Sequence, residues 1–463
     1  MPGDASHSAG AAEASGDLLQ RAVERYHELL GEGDLGVASA AYMREQFERA
    51  NLIFGGRPLS PYLRPHFVTM ADWERIKVLC ETIWSCVQKV GAAAAEDESL
   101  VDELGLTDAE RTLLAIDPGY GYISPSARLD SFLTADRYSF VELNAECPAG
   151  IAYSDVATAI FLEQPAMQAF LKDFEVVPLH ARDLMLETLL ECWRRFRPGA
   201  ERPTIAIVDW DGLPTAAEFQ LFKEYFESHG YPTTVADPRA LTYEGGRLRH
   251  GDFEIDVVYK RLLTNDFLEN IDSLGALHTA YADRAICLVN SFRGKYVHKK
   301  MFFGVLTNER YAHLFTDAER DVITQTVPWT RRVRDMRTMH DGVEIDLIPF
   351  IREHRDMLVL KPNDDFGGHG IFIGWESDEP VWEGAIGEAL AGDYLVQQRV
   401  PTAREVFPAL EDDGSFTFAE QLVDLDPLLF FGKVGSAFTR LSTSSLCNVT
   451  SGGGMVPTFL LKG

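Results

Sequence analysis

Residues 126–148 read Ser126-Ala-Arg128-Leu-Asp130-Ser-Phe-Leu-Thr134-Ala-Asp-Arg137-Tyr138-Ser-Phe-Val-Glu142-Leu-Asn144-Ala-Glu-Cys-Pro148. Two runs rich in strand-forming residues flank a polar turn, Thr134–Arg137. The segment therefore predicts a hairpin of 128–133 against 138–144. Side chains two apart on a strand share a face. Arg128 projects with Asp130, and Glu142 projects with Asn144. In the simplest register these two pairs face one another across the ladder. Carboxylate and amide oxygens grouped this way suit Mg²⁺, which takes one or two carboxylates and fills its shell with water and phosphate oxygens. Arg128 would neutralise a carboxylate or a transferring phosphoryl group beside them. An edge hairpin with a charged solvent face would carry the same residues.

Complementary cations lie later in the chain. A hydrophobic strand, Met357–Lys361, delivers a lysine into a polar loop with Gly367, Gly368, His369 and Gly370. Glycines let backbone N–H groups approach phosphate oxygens, and a strand-borne lysine supplies a fixed positive charge. GxxxxGK[ST] is absent and the lysine precedes the glycines, so this is not a Walker loop. A plain glycine-rich hairpin is the alternative. Between Arg293 and Lys300, five of eight side chains are basic or titratable, Arg293, Lys295, His298, Lys299 and Lys300. Such a patch in an acidic chain is a candidate anion site, or else a solvated helix start. The strand Tyr394–Arg399, with Gln397 and Gln398, can run along an adenine ring and offer its backbone and a side-chain amide to the base edge.

Working outward, 463 residues at about 150 per domain suggest roughly three folding units. With 46% apolar and 25% charged residues, the chain has the balance of an ordinary globular protein. The net charge of −28 repels phosphate backbones and anionic bilayers, so neither nucleic acid nor a membrane is expected as a partner. No apolar run approaches the roughly 18 residues of a bilayer span. Residues 1–16 lack a signal core and read as a disordered tail. The six cysteines, thinly spread and without a CxxC pair, fit free thiols in a reducing cytoplasm.

Residues 17–115 read as helical. Trp73, Ile76, Cys80, Ile83, Val87 and Val90 mark one helix face, and Thr107 with Glu110 forms a capping-box signature. Segment 116–175 holds the hairpin and then a helix that Pro165 interrupts. Residues 176–290 alternate strand and helix, with strands at 204–208, 233–236, 253–260 and 286–290, as in a small α/β layer. Residues 291–463 mix strands, including 357–361, 394–399 and 417–422, with short helices. The fold class is mixed α/β, with units that interleave.

Taken together, these residues resemble the circularly permuted branch of the ATP-grasp superfamily, which includes glutathionylspermidine synthetases. In ordinary members the two ATP lysines precede the metal-binding acid and the E-x-N motif. Here Arg128-x-Asp130 and Glu142-x-Asn144 come before Lys300 and Lys361. Glu142-Leu-Asn-Ala-Glu-Cys-Pro-Ala looks like the synthetase motif E-x-N-A-D-T-P. The likeness runs from about residue 120 to the C-terminus, and the helical first quarter has no counterpart in it.

The resemblance implies a permuted ATP-grasp fold with an added N-terminal helical region, and ATP and Mg²⁺ as cofactors. It implies metal ligation by Asp130, Glu142 and Asn144. Nucleotide contacts fall to Lys300, Lys361, Gly367, Gly368, His369 and Gly370, with Gln397 and Gln398 at the adenine hinge. Arg128, Lys361 and Arg440 become the catalytic cations. Arg440 and 448–454 look like an active-site edge. His369 replaces a common lysine, and Gln398 a common glutamate. The implied reaction joins a small-molecule carboxylate to an amine through an acyl phosphate. A nucleotide-binding protein without turnover, or a phosphotransferase on the same fold, are the alternatives.

Overall fold

The computed structural model describes residues 5–54, 57–365, 367–411, 413–445, 447 and 453–463. Helix formation begins at Ala5, in α1 (Ala5–Leu30), followed by α2 (Leu35–Arg49). The expected tail is thus helical over 5–16. Alanines at 9, 11, 12 and 14 favour helix strongly enough to offset Gly10 and Gly16. Thr69 caps α3 (Met70–Ala94) by accepting the Asp72 N–H, and α3 buries Trp73, Ile76, Cys80, Ile83, Trp84, Val87 and Val90. α4 (Glu98–Leu104) stops at Gly105, which is left-handed at φ 78°. α5 (Asp108–Leu114) starts with the Thr107–Glu110 capping box.

The hairpin forms in the expected register. Strand Ser126–Leu133 pairs antiparallel with Tyr138–Asn144, setting Arg128 opposite Asn144 and Asp130 opposite Glu142. The register then slips between Asp130 and Ser131, which leaves Val141 as an extra bulged residue. This hairpin is one side of a six-stranded sheet in the order Gly454–Val456, Lys433–Ser442, Phe416–Phe430, Ser126–Leu133, Tyr138–Asn144, with Ala403–Leu410 also paired to Phe416–Phe430. The strand expected over 417–422 therefore runs to Phe430. Asp424, Asp426 and Pro427 read locally as loop residues, but Asp424 lies cross-strand from Arg440, so its charge is matched inside the sheet.

A four-stranded sheet carries Lys361, in the order Thr330–Arg332, Tyr394–Gln398, Leu358–Pro362, Phe372–Ile373. The α/β layer is a parallel sheet ordered Cys287–Val289, Val257–Lys260, Ile205–Val208, Thr233–Ala236. The strand expected over 253–260 breaks at Asp256. Its first half joins a small antiparallel sheet, and the second enters the parallel one. Asp256 turns the chain there, accepting the Thr204 N–H at 3.1 Å. Thr458–Leu461 pairs with both His66–Thr69 and Val176–Pro178, so the final strand is knitted to the helical first quarter.

α6 (Ile151–Glu163) and α7 (Pro165–Phe170) follow the hairpin, and Pro165 occupies the first turn of α7, where its missing N–H costs nothing. α8 (Arg182–Phe196) and α9 (Ala216–Ser228) cover the parallel sheet. Among the described residues no helix is long and apolar enough to cross a membrane. All six cysteines are unpaired, and Cys80, Cys86, Cys192 and Cys287 are buried.

Glu218 on α9 ties the hairpin exit to the α/β layer. It is fully buried, accepts the N–H groups of Gly150 (2.9 Å) and Ala152 (3.1 Å), and pairs with Arg261 at 3.2 Å. Glu218→Ala leaves the buried Arg261 guanidinium without its counter-charge and strands the Gly150 and Ala152 N–H groups at the start of α6. It should lower the unfolding free energy by about 3–5 kcal/mol in urea titration, and a loss under about 1 kcal/mol would contradict this account.

Candidate active site

The hairpin face is held by a buried ionic cluster. Arg128 grips Asp130 with two bonds, Nε to Oδ1 at 2.8 Å and Nη2 to Oδ2 at 3.0 Å. Its Nη1 also donates to the Ala149 carbonyl. The Asn144 amide donates to Asp130 Oδ1 at 3.0 Å, so its own carbonyl oxygen points away from that bond. From a strand on the far side of the sheet, Arg440 reaches Asp130 Oδ2 (2.5 Å), Asp424 Oδ2 (2.6 Å) and Asp426 Oδ2 (3.0 Å). Carboxylate oxygens of Asp130, Asp424 and Asp426 come within 4.8 Å of one another.

The electrostatics follow from that crowding. Burial opposes ionisation of Asp130, but Arg128 and Arg440 outweigh it and hold its pKa down at about 2. Burial raises Asp426 well above the ordinary carboxylate range, with Arg440 opposing, and raises Asp424. Asp424 and Asp426 are the members that sequence reasoning did not single out. An Asp-x-Asp pair on one face of a strand was the available signal. It was masked because Asp and Pro also mark loops.

The two lysines approach the same hairpin from the other side. Lys300 Nζ lies 3.2 Å from Glu142 Oε1 and donates to the Asp365 carbonyl at 2.6 Å. Lys361 Nζ donates to Gln397 Oε1 at 2.8 Å and lies 3.5 Å from the bulged Val141 carbonyl. Gln397 is oriented in turn by donating to Thr330 Oγ1 at 3.2 Å. Lysine and hairpin thus share a cleft of about 260 Å³, which has Asp130, Glu142, Lys361, Gly367, Gly368, Gln397, Gln398 and Arg440 in its walls. Its apolar part is made by Val359, Ile371, Ile373, Val400 and Leu422, with the Arg399 guanidinium stacked 4.1 Å over Trp375. A smaller cavity sharing walls with it is lined by Glu142, Lys300, Asp365, Gly367, Gly368 and His369.

Not every expected residue meets the cleft. Arg128 and Asn144 stand behind Asp130 instead of in the wall. Gly370 lines neither cavity. At φ +65°, it turns the loop where a side chain would strike Pro362 and Tyr394, each 2.8 Å away. Residues 448–452 of the expected active-site edge lie outside the described residues. Cys147 is half-buried, and burial pushes its thiol up to about 11, which is unlike an activated nucleophile.

Oxygen donors that suit a hard divalent cation stand together on the hairpin: Glu142 and Asp130 at the cleft wall, with Asn144 behind them on the same face. Glu142 is the carboxylate without an arginine on it, and its partner is Lys300. Both Asp130 oxygens already accept bonds, Oδ1 from Arg128 and Asn144 and Oδ2 from Arg128 and Arg440. The Asp130–Asp424–Asp426 group is occupied in the same way, with the Arg440 guanidinium among its oxygens.

No protein-family model matches the chain. No curated protein matches it in sequence. Among solved structures, a glutathione synthetase-like effector from Globodera pallida, in its apo form, aligns over 93% of this chain and 98% of its own, with a TM-score of 0.57 at 13% identity. This protein shares that effector's fold. A candidate gamma-glutamylcysteine synthetase from Methylobacillus flagellatus KT aligns over 72% of this chain and 80% of its own, with a TM-score of 0.38 at 10% identity. The architecture is accordingly mixed α/β, of the kind seen in the effector.

Burial lowers the Lys361 ammonium to about 8, with Glu142 opposing the shift. Near pH 8 about half of Lys361 should be neutral, while an ordinary lysine has roughly two orders of magnitude less free amine. Acylation at pH 8 followed by peptide mass spectrometry should modify Lys361 ahead of the surface lysines, with a midpoint near pH 8. Labelling only above pH 10 would refute the shifted value.

Proposed function

We propose that this protein is an ATP-dependent carboxylate–amine ligase with a circularly permuted ATP-grasp organisation. The observation that carries the reading is convergence. The oxygen-bearing hairpin and the lysine-bearing strand and loop, more than 200 residues apart (Lys361 to Val141, 220), line one cleft of nucleotide-compatible character. The fold shared with a glutathione synthetase-like effector supports it.

In this reading the base lies along Tyr394–Gln398, against Val359, Ile371 and Ile373, and the triphosphate runs toward Lys361, Lys300 and the Gly367–Gly368 turn. Mg²⁺ held at Glu142, with Asp130 and Asn144 beside it, would supply charge neutralisation at the phosphate oxygens. A substrate carboxylate oxygen attacks the γ-phosphorus, the bond to the β-phosphate oxygen breaks, and ADP leaves. An amine then attacks the acyl carbon of the acyl phosphate, releasing phosphate and, with loss of one amine proton, giving the amide. Lys361, Lys300 and the Arg440 face of the cleft offset the charge that develops. No protein nucleophile is required, because the chemistry depends on positioning and charge.

Lys361→Ala and Glu142→Ala remove a phosphate contact and a metal ligand. Each should reduce ADP release, in the presence of a carboxylate panel and an amine panel, by at least about 100-fold, with the circular dichroism spectrum unchanged. Wild-type turnover in either variant would overturn the assignment. A phosphate ester formed on an alcohol, with no amine present, would redirect it to a phosphotransferase.

A further inference from the structure

The helical first quarter has no role in the reading above, yet one corner of it is built into the nucleotide site. Three bonds zip the Lys299–Met301 segment to the head of the glycine loop. Lys300 N–H donates to the Asn363 carbonyl at 2.9 Å, Met301 N–H to Asn363 Oδ1 at 2.8 Å, and Lys300 Nζ to the Asp365 carbonyl at 2.6 Å. The turn between α4 and α5 grips both halves of this zipper. The Leu104 carbonyl accepts from Asn363 Nδ2 at 2.9 Å, and the Gly105 carbonyl accepts from Lys299 Nζ at 2.7 Å. Glu110 takes a second bond from Lys299 Nζ, at 2.9 Å.

The ionic cluster continues inward. Lys299 lies 3.4 Å from Asp364, and Lys295 pairs with Asp364 at 2.7 Å and Glu146 at 3.3 Å. Glu110, Glu146, Lys295, Lys299 and Asn363 are all at most 3% exposed. The approach of the turn is close enough to exclude a side chain. A Cβ at Gly105 would lie 2.5 Å from Arg332 Nη2 and 2.8 Å from Asn363 Nδ2. Arg332 also donates to the Glu103 carbonyl at 2.8 Å, which ties the turn to the edge of the sheet that carries Lys361.

Burying so many ions is costly before they are paired. Apolar contact alone would seat a helix more cheaply, but it is not directional. What the ionic arrangement adds is a fixed geometry at the junction of two lysine-bearing segments. We propose that the turn of residues 104–110 is a positioning element for the nucleotide site: through Glu110, the 104 and 105 carbonyls and Lys299, it sets where Lys300 and the glycine loop stand relative to Lys361. Glu110, Lys299 and Lys295 are thereby positioning residues. They act through Asn363, Asp364 and Lys300. This role rests on the nucleotide-binding reading for its functional consequence, but its structural half is independent of that reading.

A matched control exists in the same molecule. Glu319 also sits in a capping box, with Thr316, and also pairs with a lysine, Lys89, but its bonds go to α3 and to its own helix start, none of them to the loop contacts named above. Glu110→Gln and Glu319→Gln therefore remove comparable charges from comparable helix starts. Amide hydrogen exchange of residues 363–370 should accelerate at least tenfold in Glu110→Gln and stay within twofold of wild type in Glu319→Gln. The Kd for a non-hydrolysable ATP analogue with Mg²⁺ should rise about tenfold in Glu110→Gln alone. If Glu110→Gln does not fold, Lys299→Gln removes the partner of Glu110, together with the contacts to Gly105 and Asp364, and should give the same contrast. Unchanged exchange in the loop, or equal acceleration by Glu319→Gln, would overturn the positioning role. Absence of analogue binding to the wild type would count against the ligase reading, and the exchange contrast would still decide this one.

Discussion

One guanidinium holds the site together. Arg440 reaches across the sheet to Asp130, Asp424 and Asp426, joining residues 310 positions apart in the chain. Three carboxylates this close cannot all ionise without cations beside them. Arg128 and Arg440 supply that charge, and the division among the three aspartates follows from contact. Asp130, hydrogen-bonded by both arginines, stays ionised, while the fully buried Asp426, which lies near both but accepts no hydrogen bond from either, is pushed toward its neutral form. Asp130 can then present a fixed negative charge at the cleft wall. The rest of the site depends on that fixture, because the hairpin register carries Glu142 into place opposite Asp130.

Lys361 shows the converse balance. Its partners are neutral, the Gln397 amide oxygen and the Val141 carbonyl. With no carboxylate bonded to it, burial wins and the ammonium is weakened. An anion entering the cleft would reverse that. Lys300, by contrast, is already matched to Glu142. The two lysines would therefore meet an incoming anion differently. One gains a charge partner that it lacks, and the other must share the one it has. The Val141 bulge is part of this design, since the extra residue lies where its carbonyl meets Lys361.

The legible part of the protein is local. Alternation and turn composition placed the hairpin, and period two placed Arg128, Asp130, Glu142 and Asn144 on one face. Helical period placed the buried face of α3, and the capping box placed the start of α5. The illegible part depends on partners distant in sequence. Glu110 reads as a capping residue and nothing more, because its second role comes from Lys299, 189 residues away. Asp424 and Asp426 read as breakers, because the arginine that tolerates them in a strand lies on the next strand. The break at Asp256 has the same origin, in a bond from Thr204. Propensity describes each residue against water and its neighbours in sequence. It cannot anticipate a buried charge whose cost is met by a remote counter-ion.

The order of motifs along the chain has a structural consequence. The hairpin comes early, yet its neighbour in the sheet is Phe416–Phe430, with Arg128 opposite Leu428. The last strand, Thr458–Leu461, lies between strands from residues 66–69 and 176–178. Early and late segments are thus hydrogen-bonded into the same sheets. Sequence-distant pairings of this kind exact loop-closure entropy before their contacts form, so the sheet cannot assemble from local pieces alone. α3 seats Trp84 against Gly432, at the turn joining two strands of the hairpin sheet, where a Cβ would lie 2.0 Å from the indole. The α4–α5 turn meets the glycine loop on the other sheet. The helical layer thus touches both the hairpin sheet and the segment that leads into the glycine loop.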